Sequence, residues 1–226
     1  MQDALVLSAA ANGYARVYRG FLATHRDYAR RCDLAHALVL PRRPLPRTDA
    51  AWLKIALLRR ALERHQWVLW VDADAQVMPG CPDFRGVEEP GGLLYLAEGH
   101  TGRLNSGVIA ARAHPDLLAW LDLLLDRADE PVPAQDAAPY ENGHVIHYAR
   151  DLPFLRRLER RWNNMVALED GDHIRHFTGP LARRRPSSRA AAAISRGAEL
   201  VASARPGRDR APTGARARGL ARRLYP

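Results

Sequence analysis

Lysine is almost missing from this chain: Lys54 is the only one in 226 residues, and arginine carries the remaining positive charge. Cysteine is scarce too. Cys32 and Cys81 can form at most one bridge, which excludes a disulfide-stapled secreted scaffold and a zinc site built from cysteines. No apolar run approaches the roughly 20 residues of a membrane span, and the chain opens on a strand-like segment rather than a charged-then-apolar leader. A soluble, cytoplasmic protein is expected. With 47% hydrophobic and 26% charged residues, disorder over most of the length is excluded, and the chain is long enough for one sizeable core.

The net charge of +9 is unevenly placed. From Pro180 onward there are twelve arginines against Glu199 and Asp209, so the body before it is close to neutral at −1. The segment is rich in Ala, Arg, Pro, Gly and Ser, with too few large apolar side chains to offset the entropy of ordering it. Residues 1–180 are therefore expected to form one domain, and residues 181–226 a disordered or partly helical tail. Such a tail is either a solvated extension or an attachment to a polyanion or membrane surface. The preference for arginine suggests a bacterium with a GC-rich genome.

Ala4-Leu5-Val6-Leu7-Ser8-Ala9, followed by Asn12-Gly13, reads as a buried strand entering a turn. Tyr14, Val17, Tyr18, Phe21 and Leu22 then predict a helix to about Arg31, and Leu38-Val39-Leu40 a second strand stopped by Pro41. Thr48 or Asp49 can cap a helix whose apolar face is Trp52, Ile55, Leu58 and Leu62. Trp67-Val68-Leu69-Trp70-Val71 is a third strand. Leu93 to Ala97 and Val108 to Ala110 are further strands, Pro115 opens a helix to about Arg127, and Gly143 to Arg150 and Leu152 to Trp162 read as helical. Alternating strands and helices predict an α/β domain with a mostly parallel sheet, binding its ligand beyond the carboxyl ends of the strands.

The third strand delivers Asp72 and Asp74 to its carboxyl end. Side chains two apart on an extended chain share a face roughly 7 Å apart, suited to addressing one hydrated cation. Hard oxygen ligands favour Mg²⁺ or Mn²⁺, which take further ligands from substrate phosphates, so a nucleoside diphosphate is the natural partner. Haloacid-dehalogenase-type phosphatases place the same Asp-x-Asp after a strand, with the first Asp as nucleophile. They want Thr or Val where this chain has Gln76, and a lysine after the motif, whereas Lys54 precedes it.

The ordered set Trp52-x-Lys54, Asp72-x-Asp74, Asn105-Ser106-Gly107 and His176-Phe177-Thr178-Gly179 resembles metal-dependent sugar-nucleotide transferases of the GT-A fold. In particular it is similar to the galactosyl- and mannosyltransferase family, glycosyltransferase family 34, and its bacterial relatives, over about residues 4–180. The resemblance implies a Rossmann-like GT-A fold and hexosyl transfer from a nucleoside-diphosphate sugar, UDP- or GDP-linked, to an acceptor hydroxyl with retention. It makes Asp74 a metal ligand, Asp72 a metal or ribose contact, and His176 the third ligand, with His173 as an alternative. Ala9, Ala10 and Asn12 stand where such enzymes hold nucleobase and ribose. Lys54 is expected to contact phosphate or substrate, and Gly179 to let backbone approach the diphosphate. Asn105, Ser106 and Gly107 are expected to meet sugar hydroxyls. Glu141 stands where relatives carry an acidic residue near the reacting carbon, though Asn142 replaces the Gln that follows there. His144, His147, Trp162 and Asn163 are candidates for the acceptor side. The competing reading is an inactive transferase-like scaffold whose basic tail binds nucleic acid or anionic membrane.

Overall fold

The computed structural model describes residues 3–185 and 211–226, together with 193, 196–198 and 200–202. Along the chain run β1 (Ala4–Ala9), α1 (Tyr14–Val17), α2 (Arg19–Arg31), β2 (Ala35–Val39), α3 (Arg47–Ala61), β3 (Trp67–Val71), β4 (Ala75–Val77), β5 (Leu94–Glu98) and β6 (Leu104–Arg112). They are followed by α4 (Pro115–Asp126), α5 (Asn142–Ala149), β7 (Leu155–Leu158), β8 (Ile174–His176) and α6 (Thr213–Leu224). The main sheet has the order β2-β1-β3-β6-β5-β7. Only β6 is reversed: β1 is parallel to β2 and β3, β6 is antiparallel to both β3 and β5, and β7 is parallel to β5. β1 and β3 are buried along nearly their whole length, as strands covered on both faces must be.

That one reversal positions the site. Val71, the last residue of β3, pairs with Val108 of β6, so the amino half of β6 projects past the end of β3. Asp72 continues the contact, its amide donating to the Gly107 carbonyl at 2.8 Å. β4 then pairs with β8 in a separate two-stranded sheet in which Ala75 opposes His176. This small sheet folds a histidine from a hundred residues downstream back over the two aspartates.

Several expectations are corrected by tertiary context. The first helix is interrupted at Tyr18, and β2 starts at Ala35 and leaves Leu40 exposed. Neither Thr48 nor Asp49 caps α3, whose cap position is Pro46; Asp49 pairs with Arg216 instead. The segment expected to be helical over Leu152 to Trp162 is the edge strand β7 and a 3-10 turn, Arg160–Trp162, because Pro153 disfavours a helix and the β5 edge offers backbone partners.

The tail is partly helical, one of the two expectations, but its helix packs into the core of the domain. Residues 186–192 and most of those to 210 lie outside the described residues, but residues 213–224 form an ordered helix. Ala217 and Ala221 of α6 are buried in the main core against α3 and α4, and Gly214 sits so close to α4 that a Cβ there would stand 1.8 Å from the Leu125 carbonyl oxygen. Asp129 accepts from the Thr213 amide, Arg216 pairs with Asp49, and Arg218 with Asp122 and Asp126. A boundary at 180 also cuts through structure. A 3-10 helix spans Gly179–Arg184, with Leu181 buried beside Phe21 and Phe177.

Candidate active site

α3 is buried on almost every side between the sheet and the helices α4 and α6, and Lys54 is buried with it, at 6% exposure. A lone ammonium so placed must be paired. Its Nζ donates to Glu141 Oε1 at 2.8 Å, to the Ser106 carbonyl at 3.1 Å, and lies 3.0 and 3.1 Å from the two oxygens of Asp72. The two carboxylates hold the Lys54 ammonium protonated well above the ordinary lysine range, against the opposing effect of burial.

Glu141, 4% exposed, also accepts from the Ser106 hydroxyl at 2.9 Å, so its Oε1 is fixed by two donors. Asn142 secures the same corner by accepting from the Ser106 amide at 2.8 Å. The departure from Gln thus leaves a residue that pins β6 to the start of α5. Asp72 accepts from the Trp70 indole at 2.7 Å. Burial and the neighbouring carboxylates Asp74 and Glu141 push the Asp72 carboxyl up, with Lys54 and His176 opposing. Asp74 is also raised by burial, but His176 and Arg185 more than offset this and hold it below the usual carboxylate range.

His176, 4% exposed, points Nε2 at Asp74 Oδ1, 3.3 Å away, and at Asp72 Oδ2, 3.9 Å away. The ligand atoms of Asp72, Asp74 and His176 lie within 4.8 Å of one another. These atoms converge on one point, with the Lys54 ammonium beside Asp72 and the Arg185 guanidinium beside Asp74. Two carboxylate oxygens and an imidazole nitrogen suit Mn²⁺ or Mg²⁺, so the donor set fits a divalent metal. Gly107 makes room for the ring: a Cβ there would stand 2.0 Å from His176 Cε1.

Two cavities, about 390 and 400 Å³, meet at Lys54, Asp72, Asp74, Tyr140 and Glu141. The first is walled by Ala9, Asn12, Tyr14, Arg47 and Arg185, at the carboxyl ends of β1 and β3. The second reaches His100, Thr101, Arg103, Asn105 and Met165. Asn12 faces the first cavity, but both ends of its amide are engaged by the Leu45 backbone, at 2.9 Å each, so it holds the loop of residues 41–47 in place.

Other expected site residues fall elsewhere. His173 packs against Trp162 in a separate surface cavity, which removes it as a ligand, because β8 turns alternate side chains to opposite faces and only His176 faces the aspartates. Gly179, with φ +51°, leaves space for His100 and lines neither cavity. His144 bonds the Arg127 and Glu130 carbonyls, His147 pairs with Asp136, and Trp162 is in the core, so none of the three lines either cavity. Asn163 lies behind His176. Several residues at the cavities went unread in the sequence, Tyr140, Arg47 and Arg185 among them. Tyr140, at φ +59°, stands between the two; Arg47 lines the first; and Arg185 approaches Asp74 at 3.4 Å from beyond the expected domain boundary.

No family model matches the sequence, and no curated protein sequence matches it. Solved structures do. The glycosyltransferase involved in glycosylation of the major capsid of PBCV-1 is 19% identical, with a TM-score of 0.61 over 80% of this chain and 98% of that one. The glycosyltransferase GlyE of Streptococcus pneumoniae TIGR4, in its apo form, is 13% identical with a TM-score of 0.53 over 86% of this chain, which spans 60% of its length. The fold is therefore the GT-A α/β fold of such glycosyltransferases.

Proposed function

We propose that the protein is a divalent-metal-dependent glycosyltransferase that moves a hexosyl group from a nucleoside-diphosphate sugar to an acceptor hydroxyl, with retention of configuration. The observation carrying this reading is the convergence of Asp72, Asp74 and His176 with the Lys54–Glu141 pair at the wall shared by two cavities, on a glycosyltransferase fold. Asp72, Asp74 and His176 would hold Mn²⁺ or Mg²⁺, and the ion would supply positive charge against the diphosphate leaving group. The cavity at the end of β1 takes the nucleotide, UDP- or GDP-linked, with Ala9, the Asn12-anchored loop and Arg47 around base and ribose. Arg185 supplies a second positive charge toward the diphosphate.

Glu141 faces the donor sugar as a fixed carboxylate that offsets positive charge at the reacting carbon, and Lys54 and Ser106 hold it there. The backbone of Asn105, Ser106 and Gly107 forms the floor beneath that sugar. The acceptor enters through the second cavity, and the leaving phosphate takes its proton, so no separate base is required. A cytoplasmic setting is part of the same proposal. Among the described residues, no helix is long and apolar enough to cross a membrane.

Calorimetric titration with UDP and GDP tests the reading. Binding is expected to depend on Mn²⁺ and to be lost in Asp74→Ala while far-UV circular dichroism is unchanged. Equal affinity in the presence of a chelator, or in the variant, contradicts it.

A further inference from the structure

Behind His176 lies a short chain of amides with only one consistent assignment of donors and acceptors. The Gly107 amide can only donate, and it donates to Asn105 Oδ1 at 3.0 Å, which fixes that atom as the oxygen. The same oxygen lies 2.9 Å from Asn163, so Asn163 must present its Nδ2 there. Its other end is then Oδ1, 2.9 Å from His176 Nδ1, and an oxygen at that place accepts a proton from the ring. Here a backbone N–H, which cannot be flipped, anchors all three. Asn163 and His176 are both buried, at 0% and 4% exposure, so water does not compete for the bond between them; Asn105 is half-buried at the edge of the second cavity.

We infer that Asn105 and Asn163 are positioning residues that lock His176 in the Nδ1–H tautomer and leave its Nε2 lone pair aimed at the point shared by Asp72 and Asp74. The inference rests on the metal-dependent reading above and deepens it. The ligand geometry is set by the protein from behind the site, through an anchor on β6, rather than by the incoming ion. It assigns Asn105 Oδ1 to this relay and away from sugar recognition. It also accounts for two asparagines, side by side at Asn163 and Asn164, being fully buried: the second closes the β8 loop through Asp172 while the first orients the ligand.

Two measurements test it. Long-range ¹⁵N–¹H NMR of the metal-free full chain, with the ring neutral, is expected to show His176 protonated at Nδ1. Asn163→Leu and Asn105→Leu are expected to lose that signature and to bind Mn²⁺ about 10- to 100-fold more weakly by calorimetry. Asn105→Asp keeps an acceptor oxygen in place and is expected to keep the Nδ1–H tautomer. Nε2–H in the neutral parent ring overturns the inference, and that measurement decides it if the leucine variants fail to fold. So does parent-like Mn²⁺ affinity in a folded Asn163→Leu, which leaves the glycosyltransferase reading standing. A parent chain that binds no Mn²⁺ overturns the metal reading itself and this inference with it.

Discussion

Lys54, in a chain that otherwise uses arginine, sits where an arginine would not serve. A compact ammonium can approach three acceptors from different directions, whereas a planar guanidinium prefers a paired fork. Its burial between Glu141 and Asp72 also makes it structural. Lys54→Met is expected to leave Glu141 as an uncompensated buried charge and to cost about 3–5 kcal/mol of stability, measured by urea unfolding; a loss under 1 kcal/mol contradicts this. His25 makes a second residue-level case. Its ring is fully buried, bonded to Ser8 Oγ and to the Ala75 carbonyl at 2.8 Å each, and burial pushes its pKa down to about 4. Between pH 6.5 and 4 the unfolded chain binds a proton that the folded chain refuses, so stability falls as the pH falls through that window. The expected loss from this one group is about 3 kcal/mol, complete near pH 4 and absent above 6.5. An NMR titration of the His25 ring in the folded protein with a midpoint near 6.5 contradicts it.

At the scale of elements, α6 is the part of the fold that composition hides. Its buried face is Gly214, Ala217 and Ala221, which recur at helical spacing but are small, so a search for large apolar residues passes over them. Small residues let α6 lie close on α3, the helix that carries Lys54. Gly214→Ala is expected to force α6 away from the Leu125 carbonyl and destabilise the protein by about 1–3 kcal/mol, seen as a lower melting temperature; an unchanged melt contradicts the close packing. β1 and β3 were readable because strands buried on both faces are continuous apolar runs ended by turn residues. The pairing of β4 with β8 was not, because three-residue strands carry no periodicity and their partners lie a hundred residues apart. The reading of Leu152 to Trp162 as helix failed because the open edge of β5 outweighed local preference.

At the scale of the molecule, the mostly parallel α/β sheet and the Asp-x-Asp end of β3 were legible, since both are local patterns. His176 was reached only through resemblance, and Asn163 and Arg185 carry no local signal. Their roles exist only once the small sheet and the turn after it close over the aspartates. The basic segment also reads differently in three dimensions: Arg216 and Arg218 are engaged with Asp49, Asp122 and Asp126, so part of its charge serves the fold itself. The central claim, metal-assisted hexosyl transfer, is tested most directly by release of nucleoside diphosphate from a panel of UDP-, GDP- and dTDP-sugars with and without Mn²⁺. Metal-dependent release is expected from at least one UDP- or GDP-linked donor, and it is expected to be abolished in Asp74→Ala. Silence across the whole panel, or release that persists in Asp74→Ala, contradicts it.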